Sequence, residues 1–282
     1  MRTTRTAVAV LVLAAAPAGA EVRYATFSSP ALGKEVAYVV QLPPSYATSG
    51  NRRYPVLYAL HGLFESPGFW ERRGLAAFLD GLWQKGEAPE MVVVAVDGDN
   101  SFYVDGPAGR WETMTTRDLV SHVESTYRVV SGREGRAAIG VSMGGYAALR
   151  MGLAHPGLFR AVATHSAMLL EKVPTADEGA GRGQMAAFFK VFGDPIDRAL
   201  WAANDPLALA TRADPKTAAA LYFDCGSEDR YGLFAGNREL HRRLEARGVA
   251  HEFALHPGDH GYEYVRSVLD HSVRFLGKQF AR

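Results

Sequence analysis

The chain alternates short apolar runs with longer segments whose apolar residues recur every three or four positions. Residues 22–27 and 35–42 are rich in β-branched and aromatic residues and are separated by Ser-Ser-Pro and a glycine, which predicts a strand pair at one sheet edge. After the turn-rich Pro43-Pro44-Ser45-Tyr46 and Ser49-Gly50-Asn51, residues 54–60 predict a buried strand running into His61-Gly62-Leu63. Residues 68–84 carry Phe69, Trp70, Leu75, Phe78, Leu79 and Leu82 at helical spacing. Residues 91–96 form an unbroken apolar run, as a central parallel strand covered on both faces requires. A helix is predicted over 115–127 and a strand over 136–141; the helix that follows stops at Pro156-Gly157. Short strands follow at 161–165, 221–224 and 251–255, and residues 262–280 close the chain as a helix carrying Val265, Val268, Leu269, Val273, Phe275 and Leu276. This alternation implies right-handed βαβ crossovers, and therefore an α/β fold with a mostly parallel central sheet and helices on both faces.

One segment, about 170–212, breaks the alternation. It holds a Gly-rich piece at 178–183 and an aromatic piece with Phe188, Phe189, Phe192 and Trp201, between two strands. It is either a small cap over the active-site end of the sheet or a peripheral helical insertion whose aromatics pack on the core. No internal repeat, low-complexity tract or interdomain linker interrupts the rest.

Residues 1–20 do not belong to the fold. A basic start with Arg2 and Arg5, an apolar stretch at 7–16 and Ala18-Gly19-Ala20 have the form of a secretory signal peptide, leaving residues 21–282 as a single domain. Secretion or delivery to a periplasm follows. The apolar stretch is too short for a span of ~20 residues, so no stable membrane insertion is expected after cleavage, an uncleaved N-terminal anchor being the alternative. With 31 basic and 30 acidic residues the charge is balanced, which gives no general reason to bind nucleic acid or an anionic membrane. The expected partner is a small molecule. Cys225 is the single cysteine and cannot form an intramolecular disulfide. No Cys/His cluster has zinc-ligand spacing, so neither a metal nor a cofactor is expected.

Gly140-Val141-Ser142-Met143-Gly144 lies between a predicted strand and a helical pattern containing Ala147, Ala148, Leu149, Met151 and Leu153. A G-x-S-x-G at such a turn lifts a serine hydroxyl clear of the sheet, and the glycines remove Cβ atoms that a sharp bend could not accommodate. The alternative is a serine N-cap on a buried helix. A serine nucleophile needs a base and a group to orient that base. Downstream, Asp224-Cys225-Gly226-Ser227-Glu228-Asp229 and His256-Pro257-Gly258-Asp259-His260 follow successive strands and reach the carboxyl edge of the sheet, where such folds keep their sites. His260, in the turn before the last helix, is preferred over His256 near the strand end. Asp229, in the loop, is preferred over Asp224, still in its strand, and over Glu228. Oxyanion donors would be the backbone N–H groups of Met143 and Leu63. His61 is read as structural, and His122, His155 and His165 as packing or surface groups.

These residues resemble a known family. Leu57-Tyr58-Ala59-Leu60-His61-Gly62, the segment 140–146, His155-Pro156-Gly157-Leu158-Phe159, Cys225-Gly226-Ser227-Glu228-Asp229 and Pro257-Gly258-Asp259-His260 are together similar to the putative esterase family of α/β-hydrolases. That family includes esterase D, tributyrin, feruloyl and acetylxylan esterases and the antigen 85 mycolyltransferases. The resemblance covers nearly all of residues 21–282. It implies an α/β-hydrolase fold, Ser142, Asp229 and His260 as a triad, and Leu63 and Met143 as oxyanion donors. The segment 97–105 resembles a loop near the family's substrate pocket, making Tyr103 and Asp105 binding candidates or simply turn formers; Trp201 in the insertion is a third binding candidate. Many relatives have Gly-Gly-His where this chain has Gly258-Asp259-His260, so the rim of the site differs here. Export argues against an S-formylglutathione hydrolase, whose substrate is cytosolic. The expected activity is a serine carboxylesterase acting on short-chain or carbohydrate-linked acyl esters; the alternatives are an acyltransferase of antigen 85 type and a non-catalytic binding protein on the same fold.

Overall fold

The computed structural model describes residues 19–175 and 183–280. The predicted signal peptide, apart from its last two residues, and most of the Gly-rich piece lie outside the described residues. Eight strands form one sheet: β1 Glu21–Ser29, β2 Lys34–Leu42, β3 Val56–Leu60, β4 Val92–Val96, β5 Arg136–Val141, β6 Ala161–His165, β7 Ala220–Gly226 and β8 His251–His256. Their order is β1-β2-β4-β3-β5-β6-β7-β8. β2 runs antiparallel to both β1 and β4, and the pairs from β4 through β8 are parallel. The strand order reverses between β3 and β5, which opens a crevice at their carboxyl ends.

Each central strand is buried on both faces, because alternate residues enter two different cores. In β4, Val92, Val94 and Val96 join one core, while Val93 and Ala95 join the other. The helices are α1 Phe69–Arg72, α2 Leu75–Gln84, α3 Trp111–Thr113, α4 Val120–Thr126, α5 Met143–Ala154, α6 Gly183–Phe192, α7 Arg198–Asn204, α8 Pro206–Ala210, α9 Phe234–Arg247 and α10 Tyr262–Phe280. α2 and α10 fill the second core with leucine, valine and aromatic side chains; α4, α5, α9 and the α6–α7 aromatics fill the first.

The structure departs from the sequence reading in three places. The helix expected over 68–84 is broken at Gly74, whose φ of 83° is left-handed. The helix expected from Thr115 begins at Trp111 and passes through a π-helical stretch, Met114–Leu119, before α4. α9 has no apolar pattern that would announce it, because its buried Leu240 and Leu244 stand among five charged residues between 238 and 245.

The insertion is anchored inward. Phe188 packs against Phe102 at 5.1 Å and Trp201 at 4.8 Å, and Phe192 against Tyr146 of α5 at 6.4 Å between centroids. Beneath them, Arg150 of α5 is fully buried and donates to Asn204 Oδ1 (3.0 Å) and the Tyr103 carbonyl (2.9 Å) while pairing with Glu112 (2.8 Å). Tyr146 Oη adds a bond to the Asn204 carbonyl at 2.7 Å. A buried cation with three partners ties α3, α5 and α7 together at the back of the crevice.

Candidate active site

The turn from β5 into α5 is built by its glycines. A Cβ on Gly140 would stand 2.1 Å from the Gly144 carbonyl oxygen, and one on Gly144 would stand 2.3 Å from the Leu60 carbonyl oxygen, so strand and helix meet only without them. Between them Ser142 has φ 55° and ψ −114°, a strained backbone for a non-glycine residue. The surroundings hold it there: Ser142 N donates to the His165 carbonyl (3.0 Å), and its own carbonyl accepts from Tyr146 N (2.9 Å) and Met168 N (3.1 Å). The helix begins at once, so Met143 N–H is a first-turn donor with no partner inside the helix.

The loop after β3 lies against this turn, with a Cβ built on Gly62 only 3.6 Å from the Ser142 Cβ. His61 is fully buried, its Nδ1 donating to the Gly62 carbonyl (2.8 Å) and its Nε2 accepting from Gly98 N (3.0 Å), which makes it a structural residue of the loop. His61 N is taken by the Tyr103 hydroxyl and Phe64 N by Asn100 Oδ1 at 2.6 Å. Leu63 N, between them, donates to nothing among the described residues, and neither does Met143 N.

Asp229 and His260 meet across the ends of β7 and β8. His260 Nδ1 donates to Asp229 Oδ2 at 2.9 Å, and Tyr231 N donates to Oδ1 at 2.9 Å. Burial pushes the Asp229 carboxyl up, but the His260 bond and charge and the backbone donors outweigh it and hold the group below the usual carboxylate range. The two loops are zipped beyond their strands by Ser227 N to the His256 carbonyl (2.8 Å) and Glu228 N to the Gly258 carbonyl (2.9 Å). Gly226 permits that approach, since a Cβ there would stand 2.3 Å from the Gly258 oxygen. Tyr231 sets its ring edge-on to the imidazole at 4.9 Å. No hydrogen bond joins Ser142 Oγ to His260 among the described residues; such bonds commonly tighten only when substrate arrives.

The competing residues lie elsewhere. Asp224 is sealed in the sheet, accepting from His165 Nδ1 (2.9 Å), Tyr222 Oη (2.9 Å) and Tyr264 Oη (2.8 Å). His256 packs edge-on to His271 at 5.2 Å. Cys225 is buried, and its thiol is pushed up first by burial and then by the Asp229 carboxylate, so the reactive thiolate is disfavoured. Among the described residues no group of three or more His, Cys, Asp or Glu side chains could hold a metal ion.

The three candidate substrate contacts are all engaged with the protein itself. Tyr103 is fully buried, its hydroxyl spent on His61 N, so it has no face to offer a ligand. Asp105 accepts from Thr113 N (2.9 Å) and Thr113 Oγ1 (2.5 Å) and serves the start of the α3 helix. Trp201 is enclosed by Phe188 and Phe192. Tyr231, whose ring meets the imidazole edge-on, also lines an open groove of about 410 Å³ together with Leu169, Leu170, Lys172 and Leu233. The sequence pattern does not mark Tyr231, although its place two residues after Asp229 is a usable signal.

Comparison with known proteins agrees with this architecture. The family described as "Putative esterase" matches residues 29–276. Esterase Rv1288 of Mycobacterium tuberculosis is 29% identical over 267 residues, covering 84% of this chain and 55% of that protein. The diacylglycerol acyltransferase/mycolyltransferase Ag85A of Mycobacterium leprae is 31% identical over 209 residues, covering 67% of this chain and 57% of that protein. The chain thus spans little more than half the length of these curated relatives. Among solved structures, a ferulic acid esterase superposes with a TM-score of 0.79 at 29% identity, covering 93% of this chain and 99% of that one. A fluorophosphonate-binding serine hydrolase of Staphylococcus aureus superposes with a TM-score of 0.76 at 20% identity, a likeness of fold.

Proposed function

The chain belongs to the putative esterase family of α/β-hydrolases, and from that premise we propose that it is an exported serine carboxylesterase with Ser142 as nucleophile, His260 as general base and acid, and Asp229 as the orienting carboxylate. His260 takes the Ser142 proton as Oγ attacks the ester carbonyl, then returns it to the leaving alcohol. Water, activated by the same imidazole, releases the acid from the acyl-enzyme. Asp229 fixes the imidazole tautomer and stabilises the imidazolium. Leu63 N and Met143 N are two unspent donors beside the nucleophile, available to the oxyanion of each tetrahedral intermediate. The observation that supports this reading is the Asp229–His260 couple at 2.9 Å, on loops that leave the same carboxyl edge of the sheet as the strained serine turn.

The leaving alcohol must sit next to the group that protonates it, and the groove lined by Tyr231, whose ring meets the His260 imidazole edge-on, supports placing it on that side. Its mixed lining suits a short-chain or carbohydrate-linked ester, and export, inferred from the leader, suits an extracellular or periplasmic substrate. The similarity to Ag85A favours a second reading, in which an alcohol rather than water accepts the acyl group. A burst experiment with p-nitrophenyl acetate and longer acyl esters tests both. The first reading expects a stoichiometric burst and hydrolysis as the main outcome, with Ser142→Ala lower by about 10⁴-fold or more. Loss of less than about tenfold in that variant would remove Ser142 from the mechanism. Transfer to an added sugar alcohol in excess of hydrolysis would select the second reading.

A further inference from the structure

The parallel ladder of β7 and β8 ends at the pair Gly226 and His256, and two more backbone bonds, from Ser227 N and Glu228 N, carry the zipper outward. There the backbone partners run out, one residue short of Asp229 and two short of His260. A side chain completes the zipper. Asp259 Oδ1 accepts from Arg230 N at 2.8 Å and from His260 N at 2.6 Å, so one carboxylate oxygen gathers the residue after Asp229 and the residue carrying the base. Its second oxygen binds the Arg230 guanidinium in an ion pair.

We propose that Asp259 and Arg230 form a charge-compensated clasp that positions the Asp229–His260 couple and keeps an unbalanced charge from standing beside the imidazolium formed in each turnover. The inference rests on the reading of His260 as the base. The clasp acts through the couple and touches no reacting atom. Geometry gives it the first task, since Oδ1 accepts from the backbone N–H of both loops just beyond their last backbone–backbone bond. Electrostatics gives it the second. Without Asp259 the Arg230 cation would disfavour imidazolium formation, and without Arg230 the Asp259 anion would favour it; paired, the two nearly cancel. A stability role is a poor account of the pair, because its side chains are 60% and 42% exposed and exposed ion pairs contribute little.

Other groups around His260 are the same in every variant needed for the test. Asp229 and the Tyr231 ring touch the imidazole from the acid loop, which also carries the exposed Glu228; the nucleophile turn carries uncharged Ser142, and α10, which starts two residues after His260, carries Tyr262, whose ring holds Arg73 at 4.9 Å, and Glu263. Their contributions therefore drop out of the differences between variants.

The test is the pH dependence of kcat/KM for p-nitrophenyl acetate at low ionic strength, in the full chain and in Asp259→Asn, Arg230→Gln and the double variant. Asn keeps an oxygen for the two backbone donors and removes only the charge. Asp259→Asn should move the acid limb down by about 0.3–0.6 pH unit, Arg230→Gln should move it up by a similar amount, and the double variant should return close to the parent. Both single shifts should shrink on adding salt. A purely structural pair would give no opposed shifts. Shifts of the same sign, or profiles that superimpose on the parent, overturn the clasp. Ser142→Ala in the same assay separates the failures: if it is inactive while the profiles superimpose, only the clasp is wrong, and if it stays active the reading beneath it is wrong.

Discussion

Two Asp–His couples among the described residues share a 2.9 Å bond to Nδ1, and they differ in nearly everything else. His165 and Asp224 are cross-strand neighbours on β6 and β7, both fully buried. The Asp224 carboxylate also accepts from two tyrosine hydroxyls, and the Ser272 hydroxyl lies within hydrogen-bond reach of both His165 Nε2 and the Leu269 carbonyl. Every member is satisfied inside the sheet and α10. His260 and Asp229 lie beyond the strand ends, where the carboxylate is sealed but the imidazole keeps 13% of its surface and meets the ring of Tyr231, a groove residue. The sealed couple has no room for a substrate and no strained hydroxyl to activate. Pair chemistry alone therefore does not make a catalytic site; an unsealed second nitrogen and a nucleophile on a strained turn do. The two couples are also joined, since Ser142 N donates to the His165 carbonyl and Tyr264 packs beneath Gly258.

Breaking each couple should separate the roles. Asp229→Ala has the largest expected effect on rate, a fall in kcat of about 10³–10⁴ with little change in Tm, because it removes tautomer control from a partly open imidazole. Asp224→Ala should do the reverse. It leaves His165 and two tyrosine hydroxyls buried without their acceptor, and should cost about 3–5 kcal/mol in denaturant unfolding, with activity per folded molecule within a few-fold of the parent. A folded Asp224→Ala with kcat down a thousandfold and an unchanged unfolding midpoint would exchange the assignments.

How much of this the sequence carries depends on whether a residue acts locally or through the fold. The strands are legible because buried parallel strands are continuous apolar runs, and the serine turn is legible because Gly140 and Gly144 have a steric reason that needs no tertiary knowledge. Asp229 is preferred over Asp224 from the end of a strand alone, and the structure brings Asp229 to His260. His165 reads as an ordinary packing histidine, because nothing in Ala-Val-Ala-Thr-His says that Asp224 and Ser272 will face it from two other elements. Tyr103, Asp105 and Trp201 mislead for the opposite reason, since an aromatic or carboxylate near a site in sequence can be turned inward. Arg230 and Asp259 adjoin the two site residues, yet their bond depends on how two loops converge.

A third ionic cluster sharpens the comparison at low pH. Glu112 bridges Arg150 and the half-exposed His155. Burial raises its pKa, but the His155 and Arg150 interactions outweigh that and bring it from 4.5 to about 2. A depressed carboxylate stabilises the fold above its unfolded pKa and loses that contribution as pH falls through the folded value. The expected loss is on the order of 2 kcal/mol between about pH 4.5 and 2, discounted for the exposure of His155. Glu112→Gln should flatten this part of the curve of unfolding free energy against pH. An unchanged acid slope would show that Arg150 is compensated by Asn204 and the Tyr103 carbonyl alone.

The smallest effect comes from the serine that mirrors the nucleophile. Ser272 stands to His165 as Ser142 is proposed to stand to His260, but on an unstrained helical turn of α10 and fully buried. Ser272→Ala should cost about 1–2 kcal/mol, the penalty for one buried imidazole nitrogen left without a partner, and should leave kcat, KM and the pH profile of ester hydrolysis within about twofold of the parent. The comparison fails if activity drops tenfold while Tm holds. That result would mean the sealed couple controls the nucleophile through the bond from Ser142 N to the His165 carbonyl. Because a shift of the β6 carbonyl would alter the Ser142 turn without touching His260, the loss would then appear in the acylation burst and not in the position of the acid limb.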